Sequence, residues 1–176
     1  MFRIVLRYGA IAGLVVAVPM VWSMIVLTPD TAPRNGALYG YSLMILALTA
    51  VFLGIKHYRD KVLGGVIKFV PALLVGLGIS AVASLIYTIG WEVALRYTGF
   101  DMPAEMARMQ LGAAHASGAS TAELERLAAD AAAFAKTYAN PLYRLPITFA
   151  EMFPVGVLIS LVSAGLLRNS RFLPAR

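Results

Sequence analysis

The chain has 176 residues, 60% of them hydrophobic and 14% charged, with a formal net charge of +6; an ordinary soluble domain is roughly 45 to 50% apolar and about 25% charged. A chain this small has too little interior to hide so much apolar sequence, which largely rules out a soluble enzyme. Cysteine is absent and there are two histidines, so a disulfide-stapled fold, a thiol nucleophile and a Cys-based metal centre are excluded; neither a metal site nor a cofactor is expected.

A membrane-crossing helix needs about 20 mostly apolar residues, because the hydrocarbon core is roughly 30 Å thick and a helix rises about 1.5 Å per residue. Four segments meet this, near residues 4–27, 38–55, 69–91 and 145–167. The fold expected is an all-α integral membrane four-helix bundle. Its parts are residues 1–99 with three spans, a helical hairpin over 100–141 outside the cytoplasm, and 142–176 with the fourth span and a cytoplasmic tail.

The first span follows Arg3 and Arg7, as a signal peptide would, but it is too long and lacks an Ala-x-Ala-like cleavage site, so it reads as a retained helix. It carries Gly9 and Gly13. The second is near the short limit and runs into Lys56-His57-Tyr58-Arg59-Asp60-Lys61. Together with Lys68, the cations Lys56, Arg59 and Lys61 form a juxtamembrane basic cluster that anionic lipid headgroups would attract. Gly64-Gly65 is a turn and lacks the spacing of a phosphate-binding loop.

The third span has Ala72, Gly76, Ser80 and Ser84 four residues apart, and the fourth has Gly156, Ser160 and Ala164. Small residues mark where helix backbones approach in lipid. The simplest use of these ridges, and of Gly9/Gly13, is packing within one bundle; the sharper alternative is that one of them, such as Gly9/Gly13, joins two copies. Past Trp91, Glu92 has Arg96 at i+4 as its nearest expected partner.

Between the third and fourth spans, Asp101 followed by Pro103 suits a helix start, Ser117-Gly118 a stop, Ser120-Thr121-Ala122-Glu123 a capping box, and Asn140-Pro141 the end of a second helix. The second arm has one apolar stripe, Leu124, Leu127, Ala131, Phe134 and Tyr138. Its cover is the first arm, with Met102, Met106 and Met109, the membrane surface, or another protein. Three methionines near His115 would suit copper(I), but methionine more often fills irregular helical contacts.

Glu151 lies within the fourth span, where burying a carboxylate is expensive and usually functional. Three residues on, Pro154 cannot donate to the carbonyl of Ala150 and is expected to kink the helix. Such a pair could hold a cation, an amine or a proton. The structural alternative is a partner within the bundle, either Arg144, seven residues away on the same helix face, or a hydroxyl or backbone donor from another helix.

Lysine and arginine set orientation. With both termini inside, the cytoplasmic pieces carry Arg3, Arg7, Lys56, Arg59, Lys61, Lys68, Arg168, Arg171 and Arg176, nine of the fifteen cations, while the loop from Thr28 to Ala37 has only Arg34. The aromatics Trp22, Tyr39, Tyr41, Trp91, Tyr97, Tyr138 and Tyr143 fall near the other interface. The positive charge is therefore a topology signal, and no nucleic-acid partner is expected.

Three further stretches stand out. They are residues 7–13 (Arg-Tyr-Gly-Ala-Ile-Ala-Gly), residues 54–61 running into Gly64-Gly65-Val66-Ile67-Lys68-Phe69, and residues 148–156 (Thr-Phe-Ala-Glu-Met-Phe-Pro-Val-Gly) followed by Ser160-Leu161-Val162-Ser163-Ala164. In these, and over nearly its whole length, the chain resembles the small four-helix bacterial membrane proteins grouped as domain of unknown function 4199. The resemblance implies a four-helix, multi-pass protein of the bacterial inner membrane with an outer helical insert between the third and fourth helices, which the cation count places on the periplasmic side. It implies no activity.

Three functions are compatible with these residues. The first is a non-enzymatic bundle that binds a partner protein, lipid or its own copy through the outer hairpin. The second is an oligomeric small transporter or channel using Glu151, with Glu92 and Arg144 as accompanying polar groups. The third is a lipid-acting membrane enzyme, for which no catalytic motif is present.

Overall fold

In a membrane every backbone polar group must find its partner within the protein, and a single uninterrupted segment can do this only as an α-helix. The computed structural model describes residues 1–26 and 36–174. Its elements are α1 (Phe2–Val26), α2 (Gly36–His57) continued by a π-helical turn (Tyr58–Val62), α3 (Phe69–Thr98), α4 (Met102–Ala116), α5 (Thr121–Tyr138) and α6 (Pro141–Leu167). The described residues include four helices long and apolar enough to cross a membrane: α1, α2 with its π turn, α3 and α6. Leu27 to Asn35, with the Arg34 read above, lie outside the described residues, as do Arg176 and the side chain of Tyr39.

Two helices overrun the spans expected from hydropathy. α3 continues past Trp91 to Thr98, and α6 begins at Pro141 instead of 145. An apolar window ends where polar residues begin, whereas the helix ends where its cap lies: Gly99 in the left-handed conformation (φ 66°) closes α3, and Asn140 accepts from the amide of Leu142 to open α6. α6 runs on through Pro146 and Pro154.

The bundle is apolar outside as well as inside. Apart from Arg59, the buried polar residues described are small, Ser80, Ser84, Thr88, Thr148, Ser160 and Ser163, while Leu14, Val18, Leu46, Leu74, Ile89, Leu158 and Val162 are exposed along the outer faces. An apolar surface of this extent fits lipid as the surrounding solvent. Fully buried Leu48, Val51, Ile55, Val75 and Ile79 form the dry centre.

Small residues set the helix crossings. A Cβ on Gly9 would sit 2.6 Å from Val82 Cβ, and one on Gly13 would sit 2.6 Å from Ile86 Cβ and 3.1 Å from the carbonyl oxygen of Ala83. The Gly9/Gly13 ridge is thus occupied by α3 of the same chain. At the α3–α6 crossing, Gly76 faces Ser160 and Gly156 faces Ser80. Ser160 Oγ donates to the Gly156 carbonyl (2.7 Å), so the 3.3 Å contact between the two hydroxyls has Ser80 as donor. Ala72 and Ala164 are fully buried. Ser84 Oγ is buried with no hydrogen-bond partner among the described residues. Gly13→Ala is expected to lower stability by about 1–3 kcal/mol, the usual range for an overpacked contact. The measurement is the half-life of the monodisperse protein at a fixed temperature in mild detergent. Gly165→Ala, which meets nothing within 4 Å, serves as control, and equal half-lives would mean that α1 and α3 separate freely.

At the end of the bundle holding both described termini, the basic cluster divides. Lys61 and Lys68 are exposed, and Lys56 reaches Asp60 (2.5 Å). Arg59, expected to face lipid headgroups, is instead fully buried. Its Nε donates to Asp60 Oδ1 (2.6 Å), Nη1 to the carbonyls of Leu167 (3.4 Å) and Phe172 (2.9 Å), and Nη2 to that of Leu173. The physical reason is the set of carbonyls at the C-terminus of α6 and in the turns just beyond it, which a guanidinium can bond several at a time. Arg59 reaches them from the π-helical turn, where the chain winds wider than an α-helix.

At the opposite end α4 packs along α5. Asp101 Oδ1 accepts from the Ala104 amide (3.0 Å), and Ser120 and Glu123 form a reciprocal capping box. The Ser120 backbone amide and hydroxyl, at 2.8 and 2.9 Å, hold the Glu123 carboxyl below its ordinary pKa. Leu124, Leu127, Ala131 and Phe134 are half-buried and Tyr138 is buried, as are Pro103 and, in part, Met102 and Met106 on α4. Met109 and His115 are exposed, so the three methionines do not share one covered face.

Candidate functional site

The polar groups of the hairpin half gather in two adjoining places. The first is a clasp where α3 ends, α5 ends and α6 begins. Glu92 extends from α3 to Arg144 of α6, whose Nε and Nη2 donate to its two carboxylate oxygens, both at 2.6 Å. A bidentate, charge-assisted pair of this kind is the strongest form of side-chain hydrogen bonding. Arg144 Nη1 donates to the Tyr138 carbonyl (3.0 Å), and the guanidinium lies 5.4 Å from the centre of the Tyr138 ring. Trp91 Nε1 donates to Tyr138 Oη (2.8 Å), and Phe134 stacks beside that ring at 5.4 Å. Burial pushes the Tyr138 phenol above its ordinary pKa, against the opposing pull of Trp91 and Arg144. Tyr138 thereby fastens the hairpin to two long helices at once.

This arrangement corrects both expected pairings. Arg144 belongs to Glu92 and not to Glu151, because seven residues along one helix is about 10 Å, whereas the overrun of α3 brings Glu92 alongside the start of α6. Arg96 is exposed and is not Glu92's partner; the two carboxylate oxygens are already taken by a forked donor that a single turn of helix cannot offer. Glu92, Arg96 and Arg144 line an open recess of about 430 Å³ at the rim.

The second place lies beneath the clasp. A cavity of about 360 Å³ lies between α1, α2, α3 and α6, with Glu151, Tyr41, Tyr87, Trp91, Met20 and Met44 on its walls. Tyr87 Oη donates to Glu151 Oε2 (3.1 Å). Glu151 lines the cavity and is exposed among the described residues. Tyr87 and Trp91 are one helical turn apart on α3 and so present their rings to one side. Below the cavity, the dry centre around Leu48, Val51 and Ile79 closes the bundle.

Tyr87 was not singled out by its sequence context; the available signal was its i,i+4 relation to Trp91 in a helix otherwise built of Gly, Ala, Ser and aliphatics. Trp91, Tyr41 and Tyr138 were expected as interface aromatics. Trp91 has a more particular place, since it lines the cavity and hydrogen-bonds the hairpin with its indole N–H. Glu92 and Glu151 line separate recesses, so they do not form a pair of carboxylates around one reacting centre.

One family model matches residues 7–169; its description is "Protein of unknown function (DUF4199)". No curated protein and no solved structure matches the chain.

Proposed function

The chain belongs to the DUF4199 family of proteins of unknown function, and we propose that it is a non-enzymatic membrane protein that binds a small ligand laterally, in the cavity beneath its hairpin, with Glu151 as the polar anchor. The observation that carries this is the 360 Å³ recess in which a carboxylate and three aromatic side chains converge. Ligand sites are commonly recesses of about 300–1,000 Å³, mostly apolar with a few placed polar groups. A carboxylate in a membrane-crossing helix is costly unless used, and Arg144, which would have neutralised it, is engaged elsewhere.

Other features set the remaining readings in order. The hairpin's apolar stripe is largely used by its own first arm and by the clasp, which lowers the case for the hairpin as the main binding face. The dry centre below the cavity favours binding over conduction through a single copy. The separation of Glu92 from Glu151 lowers the case for an enzyme that would use these two as an acid pair. Orientation follows the cations: Arg3, Arg7, Lys61, Lys68, Arg168 and Arg171 lie at the end opposite the hairpin, which favours cytoplasmic termini and a periplasmic hairpin in a bacterial inner membrane.

Because the chain has no Cys, access to the cavity is measurable with single cysteines. Leu43→Cys, on the cavity wall, is expected to react with a charged thiosulfonate in nanodiscs at least about tenfold faster than Ile89→Cys, which is exposed on α3 between Tyr87 and Trp91. Equally slow labelling of both would remove the cavity as a binding site.

A further inference from the structure

We infer that the cavity takes the charged head of an amphipathic organic cation, a substituted ammonium whose apolar remainder stays in the lipid; this rests on reading the cavity as a binding site. Among the described residues, the walls carry one carboxylate and no lysine or arginine. Of the two oxygens of Glu151, Oε2 accepts from Tyr87 and Oε1 has no protein donor among the described residues. An anion entering the recess would meet the Glu151 carboxyl with no cation on the described walls to receive it.

The remaining walls choose between kinds of cation. Calcium takes about six to eight oxygen ligands and magnesium a near-octahedral set, whereas no group of three or more His, Cys, Asp or Glu among the described residues is placed to hold a metal ion. The rings of Tyr41, Tyr87 and Trp91 attract a diffuse, weakly hydrated cation through their π faces, the known basis of quaternary-ammonium recognition. Met20 and Met44 add polarizable, adaptable surface. A substituted ammonium satisfies the carboxylate and the aromatic walls together. It can come from a free lipophilic amine or from an amine-bearing lipid headgroup.

The chain's two tryptophans are Trp22 and Trp91, so Trp22→Phe makes Trp91 the sole indole reporter within the full-length protein. In phosphatidylglycerol nanodiscs, benzyltrimethylammonium is expected to change Trp91 emission saturably. Its neutral carbon isostere, neopentylbenzene, should bind about tenfold or more weakly, because it lacks the charge that the rings and Glu151 recognise. Glu151→Gln should weaken the ammonium about tenfold or more in the same discs, while Leu158→Ala on the lipid face leaves it unchanged. Tyr41→Leu, which keeps the Tyr87–Glu151 bond, should weaken the ammonium several-fold and the isostere little.

Replacing the lipid by phosphatidylethanolamine distinguishes the sources. Loss of the anionic surface weakens the probe equally in wild type and Glu151→Gln, so a larger loss in the wild type assigns the site to a headgroup, an equal loss in both assigns it to a free amine, and either supports a cation. Equal binding of ammonium and isostere, or an unchanged affinity in Glu151→Gln, overturns the inference while leaving the cavity as an apolar site. The cavity itself is tested independently by the thiol labelling above.

Discussion

Replacing Arg59 with alanine is expected to destabilise the protein by about 3–5 kcal/mol, the range for removing one partner of a buried charge pair. The side chain is 0% exposed and its guanidinium bonds Asp60 and three main-chain carbonyls beyond or at the end of α6. Without it, Asp60 keeps only Lys56 among the described residues, and the carbonyls of Leu167, Phe172 and Leu173 lose a donor. The measurement is the temperature at which the monodisperse peak is lost in mild detergent. Lys61→Ala, at an exposed position two residues on, should stay within about 0.5 kcal/mol of wild type. Arg59→Lys should fall between, because an ammonium keeps the charge but cannot fork to several carbonyls. Ending the chain after Asn169 should also destabilise, and less than additively with Arg59→Ala, since both changes remove the same bonds. Arg59→Ala as stable as Lys61→Ala would show that the clamp contributes nothing.

Arg59 also shows what was legible in the sequence and what was not. Membrane spans depend on local composition, so four long apolar runs, the Asp101 and Ser120 caps and the hairpin between them could be read one residue at a time. The small-residue ridges could be read too, because Gly9, Gly76 and Gly156 lie in registers that recur every four residues. Partners are another matter. Arg59 stands among Lys56, Lys61 and Lys68 with nothing local to distinguish it; its burial is decided by a π-helical turn and by carbonyls more than a hundred residues away. In the same way Glu92 has a plausible partner at i+4, and Glu151 one on its own face, yet the overrun of α3 to Thr98 gives Arg144 to Glu92 and leaves Glu151 with Tyr87. Hydropathy could not foresee that overrun, because the last two turns of α3 are too polar to count as span while still being good helix. The candidate cavity was therefore visible only as an isolated carboxylate, without its aromatic walls.

The clasp yields the second large effect. Arg144→Ala is expected to weaken attachment of the hairpin by about 2–4 kcal/mol, counting charge-assisted hydrogen bonds at roughly 1.5–3 kcal/mol each and discounting for partial exposure. The discount is needed because the side chains of Arg144 and Glu92 are 16% and 27% exposed. Loss of Arg144 also frees the Tyr138 carbonyl and removes the cation from its ring, so the change should spread from α6 to the root of α5. Amide hydrogen exchange in nanodiscs should show it as faster exchange in α5 near Tyr138, with α1 and the centre of α3 unchanged; uniform acceleration throughout would mean instead that Arg144 supports the whole bundle. Glu92→Gln keeps the shape but not the charge, and the cycle formed with Arg144→Ala should give a coupling of about 1–3 kcal/mol. Because Trp91 joins the clasp to the cavity wall, the same variants carry a second consequence. Freed from Tyr138, the Trp91 ring is no longer held at one angle, so Tyr138→Phe, which removes only the acceptor oxygen, should alter Trp91 emission in the Trp22→Phe background while leaving the Glu92–Arg144 pair in place. An unaltered emission would show that the cavity and the hairpin are attached side by side without sharing a moving part.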